Sequence, residues 1–409
     1  MAGAWSDLAV GESLPADPVL ITMDGKPDFC GSGRKTDSSP MVSSEVKNPA
    51  SEVDVAELSF RLRGLLVGTA VGDALGLPAE GLSRRRTQGR YRGQWRHRLI
   101  FGRGMISDDT EHTIFVAQCL LCHPDSPERF ARRLGWCLRG WLLSLPAGIG
   151  FATLRAIGKL WLGFPPRSSG VYSAGNGPAM RVAIIGAFFA HDAERRAAYV
   201  AASTRMTHTD PKALIGATVI AELAAWTVRE RLTEPPPLDA FLTLLRRCGS
   251  GDRDWQSLVE TIAQAARDQV SVAELAERLG LSRGVTGYIY HTVPVVIYAW
   301  FRQGGDFRST LTAVLDCGGD TDTTGAIVGA IAGAMGGEDS IPADWRTGVA
   351  DWPRSLPLLR TLADRLAAVI ATGQSAAPVR YFWPAIPLRN LLFLLIVLLH
   401  GLWRLLPPY

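Results

Sequence analysis

Runs in which β-branched residues alternate with polar ones are missing from this sequence, so a sheet-built domain is excluded and an all-α fold is expected. A disulfide scaffold is excluded too. The six cysteines, Cys30, Cys119, Cys122, Cys137, Cys248 and Cys317, are scattered through 409 residues. Cys119 and Cys122 belong to an apolar helical pattern that begins at Ile114, and they read better as buried core thiols than as a redox or metal pair. The N-terminus has neither a basic start nor an apolar stretch of about 7–15 residues, so no secretory signal is visible. A reducing cytoplasm fits both observations. An excess of either charge is missing as well: 43 basic residues stand against 39 acidic ones, and a net +4 gives no strong nucleic-acid signal. With 47% hydrophobic and 20% charged residues, wholesale disorder is excluded.

Glycine, by contrast, is abundant. It accounts for 42 of 409 residues, against about 7% in average usage. Gly64, Gly68, Gly72 and Gly76 recur every fourth position, and so do Gly325, Gly329, Gly333 and Gly337. A helix with glycine at every fourth residue carries one smooth face on which another backbone can approach closely. Helical patterns cover Leu58–Leu77, Thr110–Leu121, Pro127–Leu145, Pro178–His191, Lys212–Arg231 and Thr323–Met335. Breaks at Glu234–Pro237, Gly249–Asp254 and Gly336–Pro342 are too short to be inter-domain linkers. One large helical domain over residues 56–374 is expected.

Both ends differ from this middle. Residues 1–54 hold nine acids and four bases among Gly, Ser and Pro without periodicity, which predicts a disordered leader over 1–55. Residues 375–409 comprise a Pro-rich connector, Pro378 to Pro387, and an apolar helix. The 21 residues Ile386–Leu406 would span about 31 Å as a helix, enough to cross a bilayer. Arg389, Asn390, His400 and Arg404 interrupt the run. A membrane contact through residues 386–406 and a helix docked on the globular body both remain open.

Two acidic clusters stand directly before helices: Ser107-Asp108-Asp109-Thr110, and Asp320-Thr321-Asp322-Thr323-Thr324 after the turn Cys317-Gly318-Gly319. Each alone would serve as an N-cap. Together they offer four carboxylates and several hydroxyls, an oxygen ligand set suited to hard divalent cations. No His or Cys is spaced nearby as a soft ligand, which disfavours zinc. Asp73, inside the first glycine stripe, is expected to orient a neighbouring ligand or accept from a backbone amide. Between Arg84 and Arg103 lie eight arginines and no acid, with Tyr91 and Trp95 interleaved. This segment reads as a solvated basic loop, as a guide for an anionic substrate, or as a polyanion surface.

Gly72-Asp73-Ala74-Leu75-Gly76 with Glu80, Ser107-Asp108-Asp109-Thr110, Gly175-Asn176-Gly177, Thr207-His208 and Gly318-Gly319-Asp320-Thr321-Asp322-Thr323 occur in this order. The combination resembles the ADP-ribosylglycohydrolase family, including the dinitrogenase-reductase-activating glycohydrolases, over about residues 60–370. The resemblance implies an all-α fold and two divalent cations, Mg²⁺ or Mn²⁺. It implies hydrolysis of the bond between ADP-ribose and an acceptor such as an arginine side chain, on a protein or small-molecule substrate. Metal-ligand positions carry over to Ser107, Asp108, Asp109, Asp320, Asp322 and Thr323, with serine in place of the frequent threonine at the first. Glu80 matches a position that takes part in catalysis, and either Glu80 or Asp322 is the expected catalytic base; Gly175, Asn176, Gly177 and His208 match segments that line the ADP-ribose pocket. The alternative is an inactive ADP-ribose-binding or structural member of the same fold. All six ligand positions keep oxygen donors, which favours the enzyme.

Overall fold

The computed structural model describes residues 54–404; residues 1–53 of the expected leader, with Cys30, and the last five residues of the chain lie outside them, whereas Asp54 and Val55, assigned to the leader, begin the first helix. Among the described residues there is no strand, only isolated bridges between loops. The expected all-α architecture is what forms.

Two helices make the axis of the molecule. The first, Val55–Gly76, is capped by Asp54, whose carboxylate accepts from the Ala56 and Glu57 amides at 3.1 Å. The second, Thr321–Gly336, is buried from Thr321 to Met335. Their glycine stripes face each other. A Cβ placed on Gly64 would stand 2.0 Å from the Gly333 carbonyl oxygen, one on Gly68 2.1 Å from that of Gly329, and one on Gly72 2.0 Å from that of Gly325. The pairing runs antiparallel, so the last turn of the first helix meets the first turn of the second: Gly76 lies against Thr321, whose hydroxyl donates to the Gly76 carbonyl at 2.7 Å. Each mid-helix glycine costs up to about 1 kcal/mol against alanine. Close backbone approach restores dispersion contact along the whole crossing. The functional consequence is positional, because Asp73 and Glu80 are brought to the start of Asp320–Thr323.

Asp108–Cys122, Pro211–Arg229, Ile289–Gln303 and Leu356–Thr372 pack around this pair. The expected helix over Pro178–His191 is instead a 3₁₀ turn, Ala179–Arg181, followed by a short helix, Ala183–Phe188. The tighter turn brings Arg181 inward, where its guanidinium donates to the Ser203 carbonyl at 2.9 Å and the Thr207 hydroxyl at 2.7 Å. Cys119 lies in the core with its sulfur 4.0 Å from that of Cys137. In the arginine segment, a helix covers Arg84–Tyr91, and Tyr91 and Trp95 stack at 3.9 Å with both rings buried. Those rings are part of the packing and present no face to a nucleic acid base.

The structure docks the apolar tail on the globular body and leaves one face of it exposed. The helix Ile386–Trp403 turns Arg389, Asn390, Phe393 and His400 toward the body. Arg389 pairs with Asp351 and donates to the Ile106 carbonyl at 2.6 Å. Asn390 donates to the Ser144 carbonyl at 2.8 Å, and the His400 ring meets the Pro78 carbonyl at 3.2 Å. The connector is pinned as well, with the Gln118 side chain exchanging hydrogen bonds of 2.9 and 2.8 Å with the Val379 backbone. Pulling this helix out to cross a bilayer would strip Asp351 of its buried cation, a change worth about 3–5 kcal/mol.

Candidate active site

The site lies where the glycine helices end. Asp73, fully buried, accepts from the Ser107 amide at 2.9 Å, the Thr110 amide at 3.2 Å and the Thr110 hydroxyl at 2.5 Å. It thereby holds the N-terminus of the acidic helix, Asp108–Cys122, against the first glycine helix. Burial raises its pKa to about 6, opposed by those hydrogen bonds. The expectation that Asp73 orients its neighbours agrees with this geometry.

Loops close the other side. Gly81 donates to the Gly319 carbonyl at 2.7 Å, Gly319 to Leu82 at 2.8 Å, Val285 to Gly318 at 2.9 Å, and Asp320 to Val285 at 2.8 Å. Gly319 has φ +84°, and a Cβ there would sit 2.0 Å from the Val285 carbonyl oxygen, so only glycine lets these three strands of chain meet. Asn176 is tied in by its own amide, which donates to the Gly287 carbonyl at 2.9 Å.

The result is a cleft of about 610 Å³. Glu80, Ser107, Asp108, Gly175, Asn176, Gly177, His208, Asp320, Asp322 and Thr323 all line it. Asp109 lies just beneath, accepting from the Ser107 hydroxyl at 3.2 Å and the Thr323 hydroxyl at 3.3 Å, and so bridges the two clusters. Every residue expected at the site is therefore within this one region. Asn176 donates to Asp320 at 2.7 Å and to the Thr292 hydroxyl at 2.9 Å. Gly175 and Gly177 lie against the His208 ring, leaving no room for a side chain on Gly175, whose Cβ would be 2.9 Å from Nε2.

Negative charge dominates the cleft. Burial, then Asp73, Glu111 and Glu80, push the Asp108 carboxyl well above the usual range. Burial and the charges of Asp108, Asp73 and Asp320 do the same to Asp109. Asp322 is raised by burial, Glu80, Asp320 and Asp109. Glu80 reaches solvent at the rim yet is packed about with protein; burial and Asp320 raise it, against the pull of Arg404. The Oδ1 atoms of Asp109 and Asp322 are buried with no hydrogen-bond partner. Among the described residues no three carboxylate, imidazole or thiol groups form a ready-made metal cage. Two of the six expected ligands are hydroxyls.

His208 is buried, with Nδ1 2.9 Å from the Thr207 hydroxyl. Burial, then Arg181, lower its pKa to about 3. The unfolded chain, with histidine near 6.5, therefore takes the proton first, and stability falls as pH drops from about 6.5 toward 3. Urea unfolding at pH 7.5 and pH 5 should show the parent losing about 2 kcal/mol more than His208→Gln. Equal losses would contradict a buried neutral imidazole.

Some of the site was not visible in motifs. Thr292 lies inside the helix Ile289–Gln303, and Phe151, Thr153, Phe393 and Val397 line the cleft from segments with no signature. Glu111, buried in the first turn of the acidic helix, accepts from Trp141 Nε1 at 2.5 Å and pairs with Arg354. An acid two residues past Asp109 is the one signal the sequence offers for it.

The sequence pattern of the ADP-ribosylglycohydrolase family matches residues 54–376. An uncharacterised protein of Archaeoglobus fulgidus is 34% identical over 300 residues, which is 71% of this chain and 92% of that protein. The ADP-ribosyl-(dinitrogen reductase) glycohydrolase of Rhodospirillum rubrum is 29% identical over 309 residues, covering 70% and 88%. The ADP-ribosylhydrolase ARH3 of Xenopus tropicalis is 24% identical over 326 residues, covering 70% and 90%. Among solved structures, a chain of an ADP-ribosylglycohydrolase-related protein complex superposes with a TM-score of 0.54 at 26% identity, over 77% of this chain and 99% of that one.

Proposed function

Since this chain belongs to the ADP-ribosylglycohydrolase family, we propose that it hydrolyses the bond joining the anomeric carbon of ADP-ribose to an acceptor, within the domain of residues 56–374. The observation that carries this reading is the convergence of Asp108, Asp109, Asp320 and Asp322 in one cleft with Glu80, Asn176 and His208. Relatives named as ADP-ribosylhydrolases and as a dinitrogen-reductase glycohydrolase support the substrate class.

The donor set fits divalent cations. It is entirely oxygen, its carboxylates form no ion pair among the described residues, and Asp109 Oδ1 and Asp322 Oδ1 are buried without partners. Ser107, Asp108, Asp109, Asp320, Asp322 and Thr323 would hold two ions, Mg²⁺ or Mn²⁺. The chemistry such a pair supplies is Lewis acidity toward sugar hydroxyls and water. The chain's own residues do the rest. Asn176, fixed by its bonds to Asp320 and Thr292, and the backbone amide of Gly177 hold the ADP-ribose; Gly175, whose amide donates to Ser173 Oγ at 3.3 Å, lets the ligand approach closely, and neutral His208 forms the floor beneath them. Glu80, whose carboxylate has no hydrogen-bond partner among the described residues, takes the proton of the water that attacks the anomeric carbon. As the bond to the acceptor breaks, the proton passes on to the leaving nitrogen or oxygen.

Purified protein given Mg²⁺ or Mn²⁺ should release free ADP-ribose from a panel of arginine- and serine-linked substrates, followed by chromatography. ADP-ribose bound tightly and never released from any linkage would instead support the inactive binding protein.

A further inference from the structure

The C-terminal helix is amphipathic in reverse. Its polar residues, Arg389, Asn390 and His400, face the body and are bonded there, whereas its outer face is leucine. Leu391, Leu395, Leu398 and Leu402 are 60%, 52%, 56% and 61% exposed, at the spacing of one helical stripe. Over 18 residues that face is about 27 Å long.

It does not stand alone. Exposed Phe101 lies beside Leu388 and Leu392, and exposed Trp136 and Leu143 lie beside Trp383 at the start of the helix. Exposed apolar area of this extent marks an interaction surface. The flanking segments are basic: residues 84–103, 129–191 and 380–404 contain no Asp or Glu, and of the acids next to the helix Asp351 is paired with Arg389 and Glu80 faces Arg404. The arginine segment runs alongside the helix, with Arg90 4.9 Å over the Trp403 ring at one end and Ile100 to Arg103 against Leu388 and Leu392 at the other. Arg85, Arg86, Arg92 and Arg96 are exposed and form no ion pair with another described residue.

A leucine stripe with aromatic flanks and unpaired arginines matches the boundary layer of an anionic bilayer, where apolar side chains enter the acyl region and guanidinium groups meet lipid phosphates. We propose that this face docks in the plane of an anionic membrane, with the helix lying on the bilayer and its polar side still bonded to the body. Phe393 and Val397, on the inner side of the same helix, line the cleft. Docking therefore sets the cleft beside the membrane surface. The charge pattern favours lipid over a second copy of the chain, since two such faces would bring arginines together.

The test is flotation of the full chain with vesicles of pure phosphatidylcholine or of phosphatidylcholine with about a third phosphatidylglycerol, at low and high salt. At least about tenfold more protein should float with the anionic vesicles, and most should be released by high salt. Leu391→Ser, Leu395→Ser and Leu398→Ser together should cut binding about tenfold while leaving the circular dichroism melt intact, a readout independent of turnover. Binding that survives in the triple variant overturns the proposal. So does absence of vesicle binding together with a dimer that the variant splits, which assigns the face to a second copy. Protein that stays with the vesicles through an alkaline wash overturns the in-plane arrangement in favour of a span.

Discussion

Asp322→Asn should cut hydrolysis at least a hundredfold and at the same time make the cation-free protein more resistant to heat. Asp322 is buried, its Oδ1 has no partner, and Glu80, Asp320 and Asp109 all press negative charge on it. Exchanging the carboxylate for an amide of the same shape removes one member of a repelling cluster. That should stabilise the cation-free fold by about 1 kcal/mol, or about 2 °C in melting temperature. Under the proposed function the same exchange would weaken a cation ligand, and activity should fall about 10²–10⁴-fold, the range seen when a group acting on the reacting atoms is lost. Adding Mg²⁺ should raise the parent's melting temperature more than the variant's, reversing their order. Thermal melts with and without Mg²⁺, paired with release of ADP-ribose, check both signs. A variant less stable than the parent under both conditions would mean that Asp322 is a structural carboxylate.

The second large effect falls on the glycine crossing. A Cβ on Gly68 would stand 2.1 Å from the Gly329 carbonyl oxygen and 2.9 Å from its carbon, and both are backbone atoms that cannot swing aside. Gly68→Ala should therefore cost about 3 kcal/mol or more, the upper range for overpacking. The loss should extend to activity, because the two helices would separate at the end that carries Asp73 and Asp320–Thr323. Gly140→Ala is the matched control. Gly140 lies inside the helix Pro127–Leu143, and nothing is within 4 Å of its would-be Cβ. There the ordinary helix preference applies, and the change should stabilise by up to about 1 kcal/mol. Denaturant midpoints of the two variants should move in opposite directions. A mild effect at Gly68 would show that the crossing is looser than the stripes require.

These two effects come from the parts of the molecule that local pattern describes best. A glycine every fourth residue states that a backbone lies close by, and the clusters at Ser107–Thr110 and Asp320–Thr324 state that helices begin there. Neither pattern names its partner. That the two stripes meet each other, antiparallel, is a long-range fact, and it is what unites the clusters. The site followed from motif order through family resemblance more than from spacing. Thr292, Phe151 and Phe393 escaped because each is an ordinary residue of an ordinary helix until the chain folds around it. Pro178–His191 failed as one helix because an apolar pattern does not reveal that Arg181 must turn inward. In the tail, Arg389, Asn390 and His400 looked like flaws in a membrane span. In the fold they are the face that binds the body, and the leucines are what is left over.

The most direct test of the two-cation hydrolase is a titration. Protein freed of metal by chelation and gel filtration should be given Mn²⁺ stepwise, with release of ADP-ribose from ADP-ribosyl-arginine measured at each step. Release near zero without Mn²⁺, rising to a plateau as about two ions per chain are bound, is the result expected from the oxygen cluster built by Ser107–Asp109 and Asp320–Thr323. A rate that is the same without Mn²⁺ as with it would contradict that account.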